Sequence, residues 1–133
     1  MAEYQKVEIV ADISRDVLPS AKGKTTIVRS TTANNTTSTI YTVTNGKIFY
    51  LCYAQLGVDS DQNNDVCTLK IGGIILITLV GTSSGIAGAR TWTSENCSPT
   101  VPLPIPAGTA ITITSPTVED EVKGSIAGWE EDA

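Results

Sequence analysis

Pro102-Leu103-Pro104-Ile105-Pro106-Ala107-Gly108-Thr109-Ala110-Ile111-Thr112-Ile113-Thr114-Ser115 combines a rigid extended entry, a glycine turn and a strictly alternating strand. Proline fixes φ and removes a backbone donor, which excludes the first half from a central strand position. In the second half the period of two sends Ile111 and Ile113 to one face and Thr112 and Thr114 to the other. The same phrase occurs earlier, where Thr42-Val43-Thr44-Asn45-Gly46 supplies a turn and Lys47-Ile48-Phe49-Tyr50-Leu51 follows at once as an apolar strand. Two such units are the local grammar of a β-sandwich.

Outward from these units, Ser38 to Val43 reads as a strand. Lys47 to Val58 is the longest strand and a central one, with a second apolar face suggested by Tyr50, Cys52, Ala54 and Leu56. Val66 to Ile71 meets Gly72-Gly73 and continues as Ile74 to Val80, the signature of a hairpin whose turn needs positive φ. The nearly continuous run Ile74-Ile75-Leu76-Ile77 implies burial on both faces, either by a partner sheet and neighbouring loops or by another subunit. Gly81 to Ala89 reads as a small-residue loop, Arg90 to Ser94 as a short strand and Val122 to Trp129 as a closing one. On the N-terminal side, Val7, Ile9, Ala11 and Ile13 alternate with Glu8, Val10 and Asp12 as a first strand, and Thr25 to Arg29 follows as a second. Ser30 to Ser38 is polar enough to read as a loop, and the one helical candidate, Ser14 to Ala21, is interrupted by Pro19. The expected fold class is all-β, a jelly-roll-like antiparallel β-sandwich with an extended N-terminal arm. Residues 1–38 are assigned to the arm and first strands, and 39–133 to the sandwich.

A length of 133 residues fits one domain. Charged residues make up 17%, below the usual quarter or so, and threonine and serine carry much of the polarity, a surface suited to packing against neighbours. With a formal charge of −5, the attraction to phosphates that dominates nucleic-acid affinity is missing, so nucleic acid is excluded as an expected partner. The chain has no histidine, which removes the commonest general base and metal ligand together. Met1-Ala2-Glu3-Tyr4-Gln5-Lys6 lacks the basic start and apolar run of a signal peptide, and no apolar stretch approaches the ~20 residues of a membrane helix. The expectation is synthesis in the host cytoplasm with no membrane partner. Cys52, Cys67 and Cys97 are odd in number and read as thiols that pack as small hydrophobes.

Candidate sites are few. Asp59, Asp61, Asn63 and Asp65 occupy positions 1, 3, 5 and 7 of a loop, as a calcium ion would want. Against that reading, Asn64 stands where an EF-hand has glycine and Lys70 where it has the bidentate glutamate. The segment is therefore read as a solvated loop, with no metal or cofactor assigned. Trp92, Tyr41, Tyr50, Tyr53 and Trp129 have the amphipathic rings of a sugar-stacking platform, but their apolar-rich strands point to core or subunit interface. Asp12 with Asp16, and Glu119-Asp120-Glu121, read as solvated charge. No catalytic constellation stands out, and none of these residues is assigned a catalytic role.

Taken in order, Tyr41 to Leu51, Leu69-Lys70-Ile71-Gly72-Gly73, Pro104-Ile105-Pro106-Ala107-Gly108-Thr109-Ala110-Ile111-Thr112-Ile113, and Ser125-Ile126-Ala127-Gly128-Trp129-Glu130-Glu131 resemble small β-sandwich virion proteins of tailed bacteriophages. That group includes capsid decoration (cement) proteins and small fibre or receptor-binding modules. The resemblance implies a non-enzymatic virion structural protein, a decoration protein on the capsid surface of a phage head, whose partners are the major capsid protein or other virion subunits. It would act as a homo-oligomer, a trimer being favoured, through interface residues Val7, Ile9, Ile13, Ile74, Ile75, Leu76 and Ile77. The alternative is a receptor- or glycan-binding module of a viral fibre or tail, marked by exposed aromatics around Trp92 and the Gly81 to Ala89 loop.

Overall fold

In the structure, a computed structural model, residues 24–60, 66–82, 90–115 and 121–133 are described. They form β1 (Thr25–Asn34), β2 (Thr37–Thr42), β3 (Lys47–Ser60), β4 (Val66–Ile71), β5 (Ile74–Val80), β6 (Thr91–Cys97), β7 (Leu103–Pro106), β8 (Ala110–Thr114) and β9 (Glu121–Asp132), with no helix among the described residues. The strands pair antiparallel in two sheets, β1-β9-β3-β6 and β2-β8-β4-β5, with the short β7 added to β3. With β7 set aside, first pairs with last (β1 with β9), then β2 with β8, β3 with β6 and β4 with β5, the nested pairing of a jelly roll.

The proline-glycine stretch 102–115 and the Asn45-Gly46 stretch 42–51 both take the predicted form. Leu103–Pro106 is a four-residue strand at the sheet edge, as its prolines require, and Ile111 and Ile113 of β8 are fully buried. The core lies between the sheets, built from Phe49, Leu51, Leu56, Leu69, Ile111, Ile113 and Ile126 among others. β3 is the longest strand and a central one, flanked by β9 on one side and by β6 and β7 in succession on the other.

One irregularity in β3 corrects the sequence reading of its faces. The register against β9 shifts between Leu51 and Tyr53, leaving Cys52 as an extra residue. Before the bulge the inward residues are Phe49 and Leu51; after it they are Ala54, Leu56 and Val58. The face expected from Tyr50, Cys52, Ala54 and Leu56 is therefore split. Tyr50 lies on the outside, stacked on Trp129 with ring centroids 5.2 Å apart, while Ala54 and Leu56 are core.

Ser30 to Asn34, expected as loop, is the second half of β1 and pairs with Glu121 to Ser125 of β9. Threonine is β-branched and tolerates an edge strand with its hydroxyl in water, and Ala33 supplies the inward contact. The turn shrinks to Asn35 and Thr36. Asn35 sits at φ +50, a conformation asparagine accepts, and its N–H donates to Ser115 Oγ at 3.1 Å. The boundary placed at residue 38 thus falls inside β2, and β1, which precedes it, is itself part of the sandwich. The expected strand Val7 to Ile13, the candidate helix Ser14 to Ala21, and residues 1–23 generally lie outside the described residues.

The β4–β5 hairpin turns on Gly72-Gly73, with Ile71 paired to Ile74. Only Gly72 has positive φ (+60), the pattern of a II′ turn, which needs glycine at the first central position. Gly72→Ala is expected to cost about 1 kcal/mol or more, whereas Gly73→Ala, with open space at its Cβ, should stay within about 0.5 kcal/mol of the parent. Urea denaturation of the two variants measures the contrast.

Candidate functional site

The apolar run Ile74-Ile75-Leu76-Ile77 is divided by a register shift against β4, which pairs Leu69 with Ile77 and Lys70 with Ile75 and leaves Leu76 as an extra residue. Ile77 is 4% exposed and belongs to the core, which removes it from the expected interface set; Ile74 and Ile75 are 75% and 53% exposed, and Leu76 is half-buried. β5 is an edge strand, with β4 on its inner side. Across the open flank of the sandwich stands β7, the edge of the other sheet at that level. Between the hairpin tip and β7 runs an apolar groove of about 450 Å³, walled by Ile74, Ile75 and Leu76 on one side and Leu103, Pro104 and Pro106 on the other, with Ile105 among its lining residues.

The two walls offer different chemistry. Pro104 and Pro106 have no N–H, so β7 is a poor template for another strand and contributes side-chain contact alone. β5 has no proline, and its outer side has no strand partner among the described residues, so it retains the backbone donors and acceptors of an unpaired edge. A groove with one apolar wall and one strand-accepting wall suits an extended segment with alternating apolar residues.

Near this end of the sandwich, Glu130 of β9 is buried against β2. Its Oε1 accepts from the Tyr41 hydroxyl and, at 3.0 Å, from the Thr44 N–H. Burial pushes the Glu130 carboxyl up, but the bonds from Tyr41 and Thr44 and the Lys47 charge outweigh it and hold the group below the usual carboxylate range. Burial, then the bond to Glu130, raises the Tyr41 phenol. A carboxylate so occupied serves as an inter-sheet tie rather than a chemical group.

The other sequence candidates separate. Asp59 lies on β3, its carboxylate 3.1 Å from Arg90 Nε, and Asp61, Asn63 and Asp65 lie outside the described residues. Among the described residues no group of three metal-ligating side chains comes together. The aromatic set does not form one platform: Tyr41 packs edge-on to Phe49, Tyr50 and Trp129 stack on the outer face of β3 and β9 with Lys24 Nζ 4.5 Å from the Trp129 ring, and Trp92 stands apart on β6. Residues 83–89, most of the loop expected beside Trp92, lie outside the described residues, as do Val7, Ile9 and Ile13. From sequence the proline phrase shows only an extended turn entry; that Leu103, Pro104 and Pro106 form a wall facing β5 depends on which strands lie opposite each other, which no local pattern carries.

No family model matches the chain, and no curated protein sequence matches it. Among solved structures it is similar to a chain of the cyanophage Pam1 capsid asymmetric unit, with 15% identity and a TM-score of 0.48 over 81% of this chain and 86% of that one. A chain from Bacillus endospore appendages, a family of disulfide-linked pili, is similar at 16% identity and a TM-score of 0.40, covering 82% of this chain and 86% of that one. A pentameric capsid protein from metagenomic phage sequences gives 13% identity and a TM-score of 0.40, over 79% of this chain and 60% of that one.

The Glu130 tie makes stability depend on acid. Because the folded carboxyl titrates below its unfolded value near ~4.3, its contribution is complete above that pH and is lost as pH falls through the lower, folded value. Tyr41→Phe should lower stability at neutral pH by about 1–3 kcal/mol and flatten the loss in acid, as read by urea denaturation over a pH series.

Proposed function

We propose that the protein is a non-enzymatic structural protein of a phage virion, a decoration protein that binds the outside of a head and joins copies of itself. The observation that carries this reading is the apolar groove between β5 and β7, which leaves Ile74 and Ile75 open to water on an unpaired strand edge. An apolar edge of this kind is a liability in a lone domain and a docking surface in an assembly. The sequence resemblance to phage β-sandwich virion proteins supports the head as its location and the major capsid protein as its partner.

The occupant of the groove is the N-terminal segment of a neighbouring copy. Residues 1–23 precede β1, and at up to ~3.3 Å per residue they are long enough to leave one sandwich and reach the next. Val7, Ile9 and Ile13 recur at alternate positions, so a strand added to β5 places them together on one face. Repetition over a closed ring, a trimer in the favoured form, and over the capsid lattice turns modest contacts into stable attachment through high effective concentration.

Ile75→Asp is expected to weaken self-association at least about tenfold, the factor set by each ~1.4 kcal/mol lost, since docking then buries a charge; sedimentation velocity reads the change. Deleting residues 2–13 should leave the sandwich folded while reducing co-sedimentation with undecorated capsids. A full-length protein that is monomeric at micromolar concentration would count against self-association, and equal capsid binding by both forms would remove the arm as anchor.

A further inference from the structure

The outer face of the β1-β9-β3-β6 sheet carries a second concave surface, away from the groove. Register places Ser30, Ser125 and Gln55 in one row across β1, β9 and β3, and Thr32, Lys123 and Gly57 in the next. Trp92 of β6 leans over the second row and is 52% exposed. Its six-membered ring rests directly on Gly57, where an added Cβ would meet ring carbons at 2.4 and 2.8 Å. Glycine at 57 is what lets the ring lie down on the sheet. Beside it Lys123 Nζ stands 5.8 Å from the ring centroid, 3.6 Å from Glu121 Oε1. The Tyr53 hydroxyl donates to Gln55 Oε1 at 3.2 Å, which orients the amide and turns its nitrogen the other way as a donor. Together these residues enclose an open cleft of about 470 Å³, within the size range of ligand sites.

The geometry points to a saccharide-binding site. An exposed indole beside serine and threonine hydroxyls, one amide and one ammonium matches a pyranose, whose C–H face stacks on an aromatic ring while its hydroxyls exchange hydrogen bonds at the rim. A nucleotide would share the stacking, but a chain of net charge −5 with a single cleft lysine, itself beside Glu121, gives its phosphates little attraction. The site is independent of the assembly groove: it lies on the exterior of the other sheet and shares no lining residue with it.

The test is an amide and indole NMR titration of the full-length protein with defined oligosaccharides of hexose, N-acetylhexosamine and hexuronate units. Of the two tryptophans, only the Trp92 indole N–H should shift, saturably, with Trp129 unmoved. Gln55→Ala should weaken binding at least tenfold and Trp92→Ala should abolish it, while Ile75→Asp leaves it unchanged. If Trp92→Ala fails to fold, Gln55→Ala and the Trp92 shift decide. No saturable shift with any probe at millimolar concentration, or binding that survives Gln55→Ala at full strength, overturns the proposal.

Discussion

The extra residue at Cys52 governs how the sandwich closes. A strand's side chains alternate, so a regular fourteen-residue β3 would carry one parity inward from end to end. The bulge resets that parity, placing Phe49 and Leu51 inward on one side of it and Ala54, Leu56 and Val58 on the other. Without it, the second half of β3 would send Tyr53 and Gln55 into the core and Leu56 to water. The bulge also falls between the two partners of the same edge of β3, with β7 pairing before it and β6 after it.

From that arrangement come the two surfaces with functional meaning. Because β7 is short and opposes only Ile48 to Leu51, the flank opposite β5 is left open and becomes the apolar groove. Because the restored alternation turns Gln55 and Gly57 outward, the exterior of the same sheet acquires its polar cleft and a smooth patch on which Trp92 can lie. One surface is apolar with an unpaired backbone edge, suited to another chain; the other is polar with one aromatic ring, suited to a small polar ligand.

The buried polar chemistry is spent on joining the sheets. Glu130 on β9 and Tyr41 on β2 meet in the interior, and Thr44 closes the remaining bond, so a carboxylate that would otherwise oppose burial becomes a cross-sheet tie. The outer ion pair Lys47–Asp132 lies in water at 2.5 Å and contributes little by comparison.

The jelly-roll class, the Asn45-Gly46, Gly72-Gly73 and Ala107-Gly108 turns, and the strands around them were legible in sequence, because turn chemistry and a period of two are local properties of the chain. The exposed pair Ile74 and Ile75 was legible as an apolar excess, though not which members of the run would be core. Tertiary structure alone decided the rest. It made Ser30 to Asn34 a strand because β9 offered a partner, and it split the β3 face through a bulge that only pairing with β9 defines. It also set β7 across from β5 and brought Trp92 onto Gly57, 35 positions earlier in the chain. Each of these depends on which strand lies beside which, a property of pairing between distant segments that no local pattern encodes.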